Sequence, residues 1–141
     1  MIDLERIKHR LQIIRDNVRE LEEMKVFSLE DLSKNRRDLA ATEHFIRIAI
    51  EAMIDIGAHI VAKRALGVPT SNTEIMLLLG QKGILDQEKV TTYVRMIKYR
   101  NRLVHFYHEV TIAEVYDIIQ NHLEDFKMFI GDIVLFLGES E

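Results

Sequence analysis

The chain has no cysteine, a single proline and only six glycines among its 141 residues. Without thiols it can build neither a disulfide framework nor a thiolate metal site, and no case for secretion can rest on cysteine spacing. So few prolines and glycines leave little room for turns and favour long helices. No apolar run approaches the ~20 residues needed to cross a bilayer, so no membrane association is expected. The opening Met1-Ile2-Asp3-Leu4-Glu5-Arg6 is charged at once and lacks the apolar core of a signal peptide. The expectation is a cytoplasmic protein. Strand-like alternation, internal repeats, low-complexity stretches, a Gly-rich phosphate loop and a G-x-S-x-G elbow are all absent from the sequence.

What is present is 48% apolar residues, spread along the whole length. A chain of this size buries roughly two thirds of its unfolded surface without a metal or disulfide staple. One domain over residues 1–141 is therefore expected. Leu4, Ile7, Leu11, Ile14, Val18 and Leu21 recur at spacings of three and four, which predicts a first helix from Asp3 to Lys25. Ser28 is placed to cap a second, long helix running from Leu29 to Leu66, stopped by Gly67 with Pro69 just beyond. Its second half is apolar on most sides, as for a central helix packed on more than one face. A short helix over Glu74–Gln81, ended by Gly83, and a fourth helix over Gln87–His108 follow. Thr111 opens a fifth, with Ile112, Val115, Ile119, His122, Phe126, Phe129, Ile133 and Phe136 in an unbroken repeat. The fold class predicted is all-α: an antiparallel up-and-down four-helix bundle with one additional short helix.

A net charge of −4 argues against a protein that coats nucleic acid by bulk electrostatics. The distribution is less even than the sum. Lys89, Arg95, Lys98, Arg100, Arg102, His105 and His108 follow one another with no acid between them, whereas from Glu109 onward Lys127 is the only Lys or Arg. Such a strip suits a phosphate-bearing ligand, and equally a neighbouring acidic helix.

Within that strip, Arg100-Asn101-Arg102-Leu103-Val104-His105-Phe106-Tyr107-His108 gathers a fixed cation, an amide, an imidazole and a phenol. A ribonuclease that works without metal needs a base for the 2′-OH proton, an acid for the 5′ leaving oxygen and a cation for the phosphorane. A histidine such as His105 suits the first two roles by residue type, and Arg100 suits the third. At ~100° per residue, however, His105 lies ~140° around a regular helix from Arg100. The two meet at one phosphate only if the helix end distorts or a second subunit completes the site, and a two-fold homodimer is the favoured solution. Spacing alone favours the ordinary alternative, a solvated arginine with a packed or capping histidine.

The pattern Arg100-Asn101-x-x-Val104-His105-x-Tyr107 resembles the signature of HepT-type proteins in the HEPN superfamily. The resemblance extends through Ala49 to Ile60, Gly67-Val68-Pro69, Leu79 and Gly83-Ile84-Leu85, covering roughly residues 36 to 120. Asn72, Thr73 and Tyr99 depart from the usual residues without touching the signature. The resemblance implies a helical homodimer that cleaves RNA without metal or cofactor. It makes Arg100 and His105 catalytic and Asn101 supporting, while Lys98 and Arg102 of the basic strip are the candidates for contacting RNA phosphates. It also implies a partner, an MNT-type nucleotidyltransferase antitoxin that blocks the toxin by adding AMP units to the motif tyrosine, Tyr107. The alternative is a non-catalytic helical subunit that binds such a nucleotidyltransferase, and a third reading is a dimeric scaffold with a structural motif.

Glu51, Asp55 and His59 are spaced by four and share a stripe. Two carboxylates and a histidine without a fourth ligand favour a polar seam over a metal site. Asp55 is a further supporting candidate, because the resemblance places acids of this helix near the arginine and histidine. His122 falls in an apolar stripe and is expected in the core or an interface.

Overall fold

The structure, a computed structural model, describes residues 1–140, the side chains of 139 and 140 excepted. Those residues form seven α-helices and two short 3-10 turns, with no strand among them. The all-α expectation holds, although three of the predicted long helices are shorter or broken.

Helix α1 (Leu4–Glu23) starts where Asp3 accepts the Arg6 N–H, and it buries the predicted stripe Ile7, Leu11, Ile14, Val18 and Leu21. After a 3-10 turn over Met24–Val26, Ser28 and Asp31 form a reciprocal capping box that opens α2 (Leu29–Lys34). The predicted single helix to Leu66 is interrupted at Asn35, which has extended backbone and accepts hydrogen bonds from the N–H groups of Arg37 and Asp38. Asn35 thus ends one helix and caps the next, a competition that short amide side chains win readily.

Helix α3 (Arg36–Lys63) is central, packing against α1, α4 and α5. It ends four residues before Gly67. Ala65, at φ 50°, takes the left-handed position that glycine usually occupies, while Leu66 N–H reaches Val61 O at 3.0 Å and Ala65 N–H reaches Ala62 O at 3.3 Å. Ser71 caps α4 (Asn72–Gln81), and Gly83, at φ 74°, closes it as predicted.

Helix α5 (Val90–His105) is shorter at both ends than expected. It is followed by an irregular Phe106 and a 3-10 turn over Tyr107–Glu109. Thr111 caps α6 (Ile112–Asn121), but the expected continuous helix breaks at His122 before α7 (Leu123–Ser140). His122 is not in the core: its side chain is 40% exposed and bridges Asp117 at 3.0 Å and Asp125 at 3.4 Å. Tyr93, Phe126, Phe129, Ile46, Met53 and Ile60 are fully buried within one hydrophobic cluster fed by every long helix. Among the described residues, no helix is long and apolar enough to cross a membrane.

Candidate active site

Helices α3 and α5 pack so that one face of each opens on a shared groove, lined by Glu43, His44, Arg47 and Glu51 from α3 and by Arg100 from α5, with Tyr107 at its end. Arg100 has most of its side chain covered, with 19% exposed. Its Nε donates to Glu51 Oε2 at 3.3 Å and its Nη1 to Asn101 Oδ1 at 3.2 Å. The same Glu51 oxygen receives Arg47 Nη1 at 2.9 Å, so one carboxylate balances two guanidiniums. Arg47 also approaches His44 Nδ1 at 3.5 Å.

Helix α5 stops at His105, and Tyr107 lies in the 3-10 turn that follows. Its hydroxyl donates to Glu43 Oε1 at 2.9 Å. Burial pushes the Glu43 carboxyl above the usual carboxylate range, opposed by this hydrogen bond. The bond to Glu43, aided by partial burial, in turn holds the Tyr107 phenol above its ordinary value.

His105 is elsewhere. It is exposed on the last turn of α5, with no hydrogen-bond partner among the described residues. Lys98, Arg102 and His105 follow at spacings of four and three, so they share the outer face of α5, roughly opposite Arg100. Lys98 is exposed. Arg102 is engaged: it donates to both carboxylate oxygens of Glu114, at 3.0 and 2.8 Å, and its guanidinium lies 5.9 Å from the Tyr99 ring centre. The basic strip of the sequence therefore divides into a groove face and an outer face. Within one chain Arg100 and Tyr107 lie on the first and His105 on the second, while Asn101, four residues before His105, stands on the His105 side with its side chain bonded to Arg100.

The seam Glu51, Asp55, His59 also divides. Residues four apart on an α-helix drift by ~40° per step, and each of the three meets a different partner. Glu51 faces Arg100, Asp55 pairs with Arg10 of α1 at 3.5 Å, and buried His59 accepts the Asp3 N–H at 2.9 Å. The carboxylate at Arg100 is thus Glu51, and Asp55 stands beside α1. Glu43 and Arg47 were not singled out from the sequence. They continue the same four-residue spacing toward the N-terminus of α3, a signal that was readable.

Comparison with known proteins identifies the family. Residues 14–133 match the family model described as Ribonuclease HepT-like. The mRNA nuclease HepT of Shewanella oneidensis is 39% identical over 83 residues, which is 59% of this chain and 62% of that protein, so the match spans less than two thirds of that relative's length. The tRNA nuclease HepT of Aphanizomenon flos-aquae is 28% identical over 131 residues, 93% of this chain and 89% of that one. Among solved structures, the tri-AMPylated Shewanella oneidensis HEPN toxin in complex with MNT antitoxin aligns with a TM-score of 0.85 at 27% identity. That alignment covers 96% of this chain and 99% of the other.

Proposed function

This chain belongs to the ribonuclease HepT-like family, and from that footing we propose that it is a metal-independent endoribonuclease toxin whose site is completed between two copies. The observation that carries the reading is the split of the motif: Arg100 lies in the groove and bonds Asn101, while His105 stands uncommitted on the outer face of the same helix. A homodimer with its two α5 ends across one cleft supplies two imidazoles and two guanidiniums.

In that cleft the neutral imidazole of one His105 takes the proton from a ribose 2′-OH, and the 2′ oxygen attacks the adjacent phosphorus. The bond from phosphorus to the 5′ oxygen breaks, and the protonated imidazole of the other copy delivers the leaving group's proton. The products are a 2′,3′-cyclic phosphate and a free 5′-OH. Arg100 holds the non-bridging oxygens as their charge grows, positioned by Asn101 and Glu51. Lys98 offers a phosphate contact along the outer face. Arg102 offers a second only by giving up Glu114.

The partner in this reading is an MNT-type nucleotidyltransferase antitoxin, which adds AMP to Tyr107. The ring of Tyr107 is exposed and its oxygen belongs to the Arg100 groove. AMP there adds bulk and negative charge beside the cations meant for RNA phosphate.

A second reading, a non-catalytic subunit that only binds the nucleotidyltransferase, draws on the neutralisation of Arg100 by Glu51. One assay separates them. The purified protein without its partner should cut single-stranded RNA in EDTA, and His105→Ala should slow this by about 100-fold or more with helical content retained. Absence of cutting, or an unaffected variant, favours the second reading.

A further inference from the structure

The hydroxyl assigned above as the AMP acceptor already has a proton acceptor in contact with it. Tyr107 is 57% exposed, whereas Glu43, which takes its hydrogen bond at 2.9 Å, is only 8% exposed. The ring is open to an approaching enzyme while its reacting oxygen is tied to a buried carboxylate. Resting on the reading that Tyr107 receives AMP, we propose that Glu43 is a catalytic residue of that modification, the general base for the first nucleotidyl transfer.

The chemistry requires one. A phenol of ordinary acidity is ionised in only roughly one molecule in a thousand at neutral pH, and the Glu43 contact holds Tyr107 further from ionisation. A bound nucleoside triphosphate presents its α-phosphorus to the Tyr107 oxygen. The O–P bond forms, the bond between the α-phosphorus and the bridging oxygen breaks, and pyrophosphate departs. The phenolic proton passes to Glu43 Oε1 and then to water. Burial raises the basicity of Glu43 above that of an exposed carboxylate. The nearby positive charge of Arg36 favours the developing phenolate, and Arg47 and Arg100 line the same groove.

The geometry also limits Glu43 to one step. Once esterified, the Tyr107 oxygen has no proton to donate, and its phosphodiester repels the carboxylate. A further AMP unit would attach to a ribose hydroxyl of the first, several bonds from Glu43. A base at this position therefore accelerates the first addition and leaves later ones alone, unlike a residue that merely docks the partner.

The test combines the protein with its MNT-type nucleotidyltransferase, ATP and Mg²⁺, following successive AMP additions by intact-mass spectrometry. Glu43→Gln keeps shape and a hydrogen-bond acceptor but not the basicity. It should slow the first addition about 100-fold, with the second and third proceeding from the mono-AMP species at the wild-type rate. Glu43→Asp should recover part of the loss. In the wild type the first-step rate should climb with pH as Glu43 loses its proton, and the Gln variant should lack that limb. An equal first-step rate in Glu43→Gln overturns the proposal, as does equal slowing of every step, which marks a docking role. If the wild-type protein accepts no AMP, the assignment of Tyr107 itself has failed, and the base falls with it.

Discussion

Replacing Glu51 with glutamine tests whether the groove is masked at rest. Glu51 Oε2 accepts from Arg47 at 2.9 Å and from Arg100 at 3.3 Å, and the three side chains are 29%, 33% and 19% exposed in that order. Unit charges ~4 Å apart attract by about 4 kcal/mol at an effective dielectric of ~20. Desolvation and side-chain ordering offset most of that, which leaves a net contribution of about 1 kcal/mol at this partial exposure. An RNA phosphate that engages Arg100 must displace Glu51 or share the guanidinium with it. Glutamine keeps the shape and removes the competing charge. The KM for a short single-stranded RNA should therefore fall about fivefold, the equivalent of about 1 kcal/mol. The kcat should fall modestly, because Arg100 loses part of its positioning. Unfolding stability should drop by about 1 kcal/mol, with Arg47 and Arg100 left facing each other. Steady-state cleavage of a fluorogenic RNA at low salt gives KM and kcat separately. A KM that is unchanged or higher refutes the masking argument and makes Glu51 an orienting group only.

Two further outcomes follow from backbone and burial. Ala65→Gly should stabilise the protein by about 0.5–1 kcal/mol in denaturant unfolding, because Ala65 sits at φ 50°, where an L side chain is strained and glycine is not. A destabilised variant would mean that the methyl group packs more than the backbone suffers. Burial chiefly, with help from Arg6 and Lys63 and against Asp3, holds the His59 imidazole below its ordinary value. Its contribution is thus fully present above the usual histidine range and lost as pH falls through the lowered native value. Protonation also removes the acceptor for the Asp3 N–H. Urea midpoints should decline from pH 7.5 toward pH 5, and His59→Gln should flatten that decline; an equal slope in both proteins would assign it to other groups.

The parts of the fold that were legible in the sequence are those set by burial, and the parts that were not are set by single capping side chains. The α1 stripe, the central character of α3 and the Gly83 stop all followed from apolar spacing or glycine chemistry, and each stands in the structure. The apolar repeat was blind to Asn35, because a residue that ends one helix while capping the next leaves the hydrophobic phase nearly undisturbed. His122 hid in the same way: its position fits the stripe, but Asp117 and Asp125 draw the ring outward at a break between helices. The end of α5 matters most for function. A helix continued to His108 would carry Tyr107 on the Arg100 stripe, just short of two turns further along. The helix stops at His105, and Tyr107, in the 3-10 turn that follows, reaches Glu43 with its hydroxyl. The motif drew attention to Arg100, Asn101, His105 and Tyr107 as neighbours in sequence, yet it could not supply Glu43 or Glu51 as the partners of Tyr107 and Arg100. Those contacts join residues 64 and 49 positions apart in sequence. They exist because α3 and α5 bury their apolar faces together and leave their polar edges to meet at the rim.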